Sequence, residues 1–397
     1  MHRPLSASTS PTTHIRSDDN RCTARARTLP KWSRNLACTL AAVLIAGFGC
    51  RPKWSEDGKR LVYPAYHDKQ HFITEHDFET GQSRTLLELQ PQDGAADILW
   101  DKDNSQWVVV SADGVDDNTI NVFTLDTAGK EKDRHQISVK TRNVSCLLSE
   151  PVVVDGHVFI TGNSITRVNL KSGETTTDAR RGMRAFPLGD NLGYVNRTGN
   201  QWSIGKLDPK TFEATPWVEQ PKDCAWQIQP HPRFNASHTR CAVIAEQGLK
   251  TFDLTGAKWA ILVLEQGKLI STIELKGELS TGPLAWIDEV TVCATVMRPG
   301  EEVDTFAMLE TDFSGNVQRE TVILKAPVDE EMARNGGGMY SRNMPFLMRP
   351  SPSPDGKTVA FSTAKLPRLP ADLSGLLLLR RSKLRPVERL AFGSPNK

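Results

Sequence analysis

The residue types best suited to binding a metal ion are concentrated in two short polar stretches of the sequence. The stretch YHDKQH contains His67, Asp68 and His71, and the stretch SADGVDDN contains Asp113 and Asp116. Imidazole and carboxylate groups are ligands for divalent metals. If both stretches are loops on one face of the fold, their side chains would converge on one ion. The alternative is two solvated polar loops, because the sequence shows no fixed ligand spacing.

The short motifs that mark common catalytic sites are missing from the sequence. It contains no Gly-x-Ser-x-Gly elbow, no glycine-rich phosphate loop and no His-Glu-x-x-His motif. Cys241 and Cys293 lie within the apolar runs RCAVIA and VCATVM, so we expect buried free thiols there. These features favour binding over catalysis, and no cofactor is expected.

The elements that would position the polar loops form a repeat. PKWSEDGKRLVY, from residue 52, and SPSPDGKTVAFS, from residue 351, both place an Asp-Gly turn before an apolar strand. Taking an aromatic residue or proline as the anchor, with its partner seven residues later, gives clear copies at Trp54, Trp100, Phe234, Trp286 and Pro352. Two weaker copies begin near residues 152 and 187, so the period averages roughly fifty residues.

Each copy predicts four short antiparallel strands, the innermost two joined by a two-residue Asp-Gly hairpin turn. Runs such as WVVVSA and CAVIAE are apolar at consecutive positions, as expected for a sheet covered on both faces. The fold class predicted is therefore all-β, a single β-propeller over residues 51–393 with seven four-stranded blades. Six or eight blades stay open as alternatives.

At these residues the chain resembles a known family. PKWSEDGKRLVYP and SPSPDGKTVAFS are similar to the repeat of TolB-type (WD40-like) propellers of the bacterial cell envelope. The stretch PVVVDGHVFITGNSITRVNLKSGE is instead similar to repeats of pyrroloquinoline-quinone-type propellers. The resemblance implies an envelope protein that binds partners through a propeller.

The first fifty residues read as an export segment rather than part of the fold. Residues 1–34 form a polar, basic n-region that we expect to be disordered, and residues 35–50 contain an apolar run that ends at Cys50. The run is shorter than the ~20 residues that span a bilayer. Three outcomes stay open: lipid attachment at Cys50, simple cleavage, or an uncleaved membrane anchor. In each case we expect export to the envelope or periplasm.

The longest interval between anchors contains a segment suited to an adaptable contact. This segment enters the last blade and contains Met332, Met339, Tyr340, Met344 and Phe346 around a run of three glycines. Methionine-rich apolar segments suit adaptable binding surfaces. We expect it to contact a protein or glycan partner of the envelope; the alternative is a lid that plugs the central channel.

The distribution of charge along the chain limits which classes of function remain. The formal net charge is +2, and it comes from the basic first fifty residues, so the body lacks the basic stripe of a nucleic-acid-binding protein. The sequence therefore predicts a non-catalytic binding or scaffold propeller. The alternative is a metal-dependent lyase or hydrolase on polysaccharide, since some propeller lyases hold a metal between such loops.

Overall fold

The computed structural model is all-β and consists of seven antiparallel blades. It describes residues 51–67, 70–90, 93–113, 119–138, 150–162, 164–178, 180, 182–248, 257–275, 284–298, 300, 302–327, 349–363, 375–381 and 388–389. Within these ranges the secondary structure is strand and turn, and no helix long and apolar enough to cross a membrane is found there. The predicted seven-bladed propeller is confirmed.

The strands follow one another blade by blade. Blades 1 and 2 comprise β1 (Lys53–Trp54), β2 (Arg60–His67), β3 (Gln70–Asp77), β4 (Ser83–Glu88), β5 (Asp93–Asp101), β6 (Gln106–Asp113), β7 (Thr119–Leu125) and β8 (Glu131–Ser138). Blades 3 and 4 comprise β9 (Val152–Val154), β10 (His157–Thr161), β11 (Ile165–Asn169), β12 (Thr175–Thr177), β13 (Met183–Leu188), β14 (Asn191–Thr198), β15 (Gln201–Leu207) and β16 (Ala214–Glu219).

The remaining three blades continue the same order. Blade 5 comprises β17 (Gln227–Ile228), β18 (Arg233–Phe234), β19 (Arg240–Gln247), β20 (Lys258–Glu265) and β21 (Lys268–Leu275). Blades 6 and 7 comprise β22 (Ala285–Trp286), β23 (Thr291–Arg298), β24 (Val303–Asp312), β25 (Val317–Pro327), β26 (Pro350–Pro352), β27 (Thr358–Thr363), β28 (Gly375–Arg380) and β29 (Glu388–Arg389).

The first strands of successive blades contact one another and therefore surround the central channel. In blade 5 this innermost strand is interrupted: β17 and β18 both pair with β19, and the residues between them include Pro230 and Pro232. Proline has no backbone N–H to give to a ladder, which explains the break. His231 lies within it.

The hydrophobic core lies between the blades. One cluster joins β6 and β7 of blade 2 to β10 and β11 of blade 3, and equivalent clusters join blades 1 and 2, 3 and 4, 4 and 5, and 5 and 6. Strand β20 is buried at six consecutive positions. The prediction that consecutive apolar residues serve both faces of a blade is thus confirmed.

Two of the anchor tryptophans connect their blade to the one before it. The Trp54 indole donates to the Ser351 carbonyl of blade 7 over 2.8 Å, and the Trp286 indole donates to the Arg233 carbonyl of blade 5 over 2.7 Å. Both acceptors precede their own blade's anchor by one residue. At these two positions the tryptophan is therefore an apolar side chain between blades that also donates one hydrogen bond to the preceding blade.

Two details of the predicted hairpins are wrong. In blade 1 the connection between Ser55 and Arg60 contains four residues rather than two, and Asp57 stabilises it by accepting from the Ser55 hydroxyl and the Lys59 N–H. Blade 7 repeats this arrangement around Asp355. The two-residue Asp-Gly turn occurs in blade 3, where Val154 pairs with His157.

The second detail concerns blade 6. Trp286 pairs with Val292, six residues on, and not with Cys293. The reason is a turn shorter by one residue: the Ile287 N–H donates to the Thr291 carbonyl, and Asp288 accepts from the Val290 and Thr291 N–H groups. Cys293 and Cys241 are fully buried free thiols, as predicted.

Candidate functional site

The two predicted metal loops leave neighbouring blades on the same face. We call this the upper face, the one at which the innermost strands begin. β2 ends at His67 and β6 ends at Asp113, and both strands run toward that face because they are antiparallel to β1 and β5. His71 follows on β3, where its backbone pairs with Tyr66.

The side chains of the predicted metal ligands are mostly outside the described structure. Asp68, Asp116 and the side chains of His67 and Asp113 lie outside the described residues, whereas His71 is described and half-buried. Among the described residues no group of three or more His, Cys, Asp or Glu side chains is arranged to hold a metal ion. The metal site stays a prediction.

The other predicted site residues also lie outside the described ranges. These are the lipid-attachment candidate Cys50 and the partner-binding candidates Met332, Met339, Tyr340, Met344 and Phe346. The chain is described again from Arg349, which immediately precedes β26 at the upper face.

The described structure instead brings together a set of ionisable side chains around the central channel. They lie on or just before the innermost strands of five blades, and we call them the channel cluster. Its members are Arg51, Lys53, Asp97, Glu150, His231, Arg233 and Arg349.

Glu150 is the centre of the channel cluster. It belongs to blade 3 and is 3% exposed, yet its carboxylate contacts Lys53 at 2.5 Å and Arg51 at 3.6 Å, both from blade 1. It also accepts a hydrogen bond from Arg233 of blade 5. Blade 2 stands between blades 1 and 3, and blade 4 between blades 3 and 5. These side chains can therefore meet only across the channel.

The charges around Glu150 determine its protonation. Burial alone would raise the pKa of this carboxyl, but Arg233, Lys53 and Arg51 outweigh burial and hold its pKa well below the usual value. Burial also lowers the pKa of Lys53 despite the attraction of Glu150, and it lowers the pKa of Arg233 to about 10. Glu150 and Arg233 are therefore both charged at neutral pH.

Asp97 is the second carboxyl of the channel cluster and behaves differently. It lies on β5, is 1% exposed and accepts a hydrogen bond from the Arg51 backbone N–H. Burial raises its pKa to about 7, although the nearby Arg349 opposes the shift. Its Oδ2 atom has no hydrogen-bond partner among the described residues. Asp97 therefore changes protonation near neutral pH.

Arg233 and His231 approach from blade 5. The Arg233 side chain is 7% exposed, and its Nε has no hydrogen-bond partner in the described part of the chain. Burial together with the charges of Arg349, Arg233 and Arg184 holds the pKa of His231 well below its usual value. His231 is thus a neutral imidazole beside several cations, able to donate or accept a hydrogen bond.

Sequence reasoning missed this site because its members are about fifty to one hundred residues apart. A signal was present in the repeat itself. The position three residues before the anchor is Arg51 in blade 1, Asp97 in blade 2, His231 in blade 5 and Arg349 in blade 7. An alignment of the copies at their anchors would have identified polar residues at this position, which faces the channel.

Comparison with known proteins supports the fold. No protein-family model matches the chain, and no curated protein matches it. Among solved structures, an oligogalacturonate lyase from Vibrio parahaemolyticus is 12% identical, with a TM-score of 0.53 over 84% of this chain and 89% of that chain. The hydrazine synthase of Kuenenia stuttgartiensis is 11% identical, with a TM-score of 0.51 over 85% of this chain and 96% of that one.

TolB from Acinetobacter baumannii is also similar, at 14% identity and a TM-score of 0.43 over 69% of this chain and 64% of that chain. At such identities the similarities concern architecture and do not transfer an activity. The blade topology shows a seven-bladed propeller, consistent with the TolB-like repeat of the sequence, and the similarity to the oligogalacturonate lyase concerns this architecture.

Proposed function

We propose that the protein is an exported, non-catalytic binding propeller and that the channel cluster is its ligand site. The observation that carries this proposal is the pair of buried polar atoms, Asp97 Oδ2 and Arg233 Nε, without partners among the described residues. A buried polar atom without a hydrogen bond destabilises a fold by about 1–3 kcal/mol. A polar ligand in the channel would provide both partners.

The proposed location rests on the sequence. The apolar run before Cys50 has the length and flanks of an export signal. Attachment of lipid at Cys50 would place blade 1 beside the membrane, because Lys53 already belongs to β1. Cell fractionation tests the location, and recovery of the native protein in the cytoplasm would contradict it.

A partner contact at the upper face is part of the same proposal. The methionine-rich segment runs from Met332 to Phe346 and ends three residues before Arg349, a member of the channel cluster. A partner protein or glycan that contacts this segment would lie beside the mouth of the channel. The contact would couple partner binding to occupation of the ligand site.

The second candidate function is a metal-dependent lyase or hydrolase on polysaccharide. It is favoured by one observation, the exit of the His67 and Asp113 strands on the same face of adjacent blades. It requires ligands from His67, Asp68, His71, Asp113 and Asp116, which would form a metal site above the channel cluster.

One experiment separates the two candidates. The full-length protein is incubated with neutral and acidic polysaccharides, with and without Mn²⁺, and both glycan shortening and protein melting temperature are measured. A binding propeller shows a saturable rise in melting temperature with a ligand and leaves the glycan intact. Metal-dependent shortening that disappears in His71→Ala would instead support the enzyme.

A further inference from the structure

The channel cluster has more cations than anions. Among the described residues, Glu150 is the single carboxylate that contacts Arg51, Lys53 and Arg233. Asp97, if it is ionised, is balanced by Arg349, the cation that most opposes its pKa shift. The carboxylate of Glu150 is then one negative charge among three positive side chains. Buried charges are strongly destabilising unless an opposite charge compensates them.

The three cations around Glu150 differ in how deeply they are buried. The side chain of Arg233 is 7% exposed, that of Arg51 is 14% exposed and that of Lys53 is 24% exposed. Arg233 therefore forms the deep end of the site, while Arg51 and Lys53 are reachable from solvent. A small ligand entering from the channel mouth would meet all three side chains.

We infer that the channel binds a compact oxyanion, the chemistry shared by a phosphate group and a carboxylate, through Arg51, Lys53 and Arg233. This inference rests on the proposed function, since it names the ligand class of the same site. Guanidinium groups bind carboxylate and phosphate in a planar, two-bond geometry, and an ammonium group adds a point charge.

The two acids of the site fit this ligand. Glu150 holds the three cations in place while leaving them incompletely neutralised. Asp97, when protonated, donates a hydrogen bond from Oδ2, and its pKa of about 7 keeps that form populated at neutral pH. A neutral imidazole at His231 adds one more donor without adding charge. A cationic ligand would meet repulsion at each of the three cations.

The test uses the full-length protein at constant ionic strength, because salt screens exposed charges. Isothermal titration calorimetry is run with four probes: inorganic phosphate, glycerol phosphate, glucuronate and neutral glucose. The inference predicts saturable binding of at least one anion and none of glucose. A phosphate-selective result points to a phosphorylated ligand, and a glucuronate-selective result points to an acidic sugar.

A matched pair of variants assigns the binding to the channel. Arg51→Gln removes one of the three cations. We expect it to weaken anion binding about tenfold or more, the usual effect of losing a hydrogen bond to a charged group. Arg84→Gln is the control: its side chain is 49% exposed on β4, the outermost strand of blade 1, where it pairs with Glu75. It should leave the affinity unchanged.

Glu150→Gln gives an independent readout. Its removal leaves the three cations without their carboxylate, so the melting temperature should fall in anion-free buffer. Added anion should then raise the melting temperature more than it does in the native protein. If this variant does not fold, the comparison of Arg51→Gln with Arg84→Gln still tests whether the anion binds in the channel.

The results that would contradict the oxyanion inference differ from those that would contradict the proposed function. Absence of saturable binding for all three anions overturns the oxyanion inference, as does equal affinity in Arg51→Gln and the native protein. Glucose binding that weakens in Arg51→Gln would keep the channel as a ligand site and overturn only the ligand class. Shortening of a polysaccharide by the native protein would overturn the non-catalytic function.

Discussion

At the scale of the residue, Asp97 makes the clearest quantitative prediction. Its folded-state pKa of about 7 lies above the ordinary value of 3.8. Between these two pH values the folded protein holds a proton that the unfolded chain releases. Stability contributed by this group is therefore present below about pH 4 and is lost as the pH rises toward 7, by up to about 1.4 kcal/mol per pH unit.

Replacement Asp97→Asn removes that dependence. The native protein and the variant are unfolded with urea at pH 5 and at pH 8, and the difference between their free energies of unfolding is compared. We expect the variant to gain stability relative to the native protein as the pH rises. A difference that is the same at both pH values would contradict the assigned protonation of Asp97.

The positions of the anchor tryptophans could be predicted from the sequence, but their hydrogen-bond acceptors could not. Their spacing was sufficient to locate Trp54, Trp100 and Trp286 at the ends of innermost strands. The acceptor of each indole was not predictable, because the Ser351 carbonyl becomes a neighbour of Trp54 only when the first and last blades meet.

At the scale of the element, the hairpins between the two innermost strands determine the register of each blade. The repeat predicted four of these pairings correctly at a separation of seven residues, those of Trp54, Trp100, Phe234 and Pro352. It was wrong in blade 6, where Asp288 stabilises a shorter turn. Turn length depends on local side-chain hydrogen bonds that a strand pattern does not encode.

Glu289, in that shorter turn, also stabilises the neighbouring hairpin. Its carboxylate accepts from the Asn235 amide at 2.6 Å, the Ser237 N–H at 3.0 Å and the Ser237 hydroxyl at 2.7 Å. Glu289→Ala should therefore destabilise the protein by about 1 kcal/mol, since these bonds are charge-assisted but two of the three are exposed to solvent.

Thermal unfolding measures this effect against a matched glutamate. Glu79, between β3 and β4, forms an exposed ion pair at 2.7 Å with Lys59, between β1 and β2 of the same blade. Glu79→Ala should change the melting temperature very little. Equal falls in melting temperature for the two variants would contradict a stabilising role for the contact between the hairpins of blades 5 and 6.

At the scale of the whole molecule, the described parts of the first and last blades meet through side chains and share no strand. The described strands of blade 1 and of blade 7 are each consecutive in the chain. Leu61 and Tyr63 of blade 1 pack against Ala360, Leu376 and Leu378 of blade 7. Closure thus depends on this apolar contact and on two hydrogen bonds, one from the Trp54 indole and one from the Ser351 hydroxyl to the Pro52 carbonyl.

Trp54→Phe tests the closure contact. Phenylalanine keeps the ring that stacks on Phe78 but loses the hydrogen bond to Ser351, and we expect a loss of about 1 kcal/mol. Trp286→Phe removes the equivalent bond between blades 6 and 5 and should have a similar effect in chemical unfolding. No loss at Trp54 beside a clear loss at Trp286 would contradict the described contact between blades 1 and 7.

Fold and site differ in how far the sequence determines them. The seven blades follow from strand patterns within each fifty-residue copy. The channel cluster depends on the geometry of the closed ring, which brings Lys53, Glu150 and Arg233 together although 97 and 83 residues separate Glu150 from its partners. No local pattern predicts which of the polar residues at the inner strands will face one another.

The meeting of these side chains across the channel is the central claim, and a double-mutant cycle between Lys53 and Glu150 tests it most directly. Free energies of unfolding are measured for the native protein, Lys53→Gln, Glu150→Gln and the double variant. Residues in contact give interaction energies of roughly 0.5–3 kcal/mol, whereas distant residues are additive within about 0.5 kcal/mol. We predict a coupling above 1 kcal/mol, and additive effects would contradict a site assembled on the channel axis.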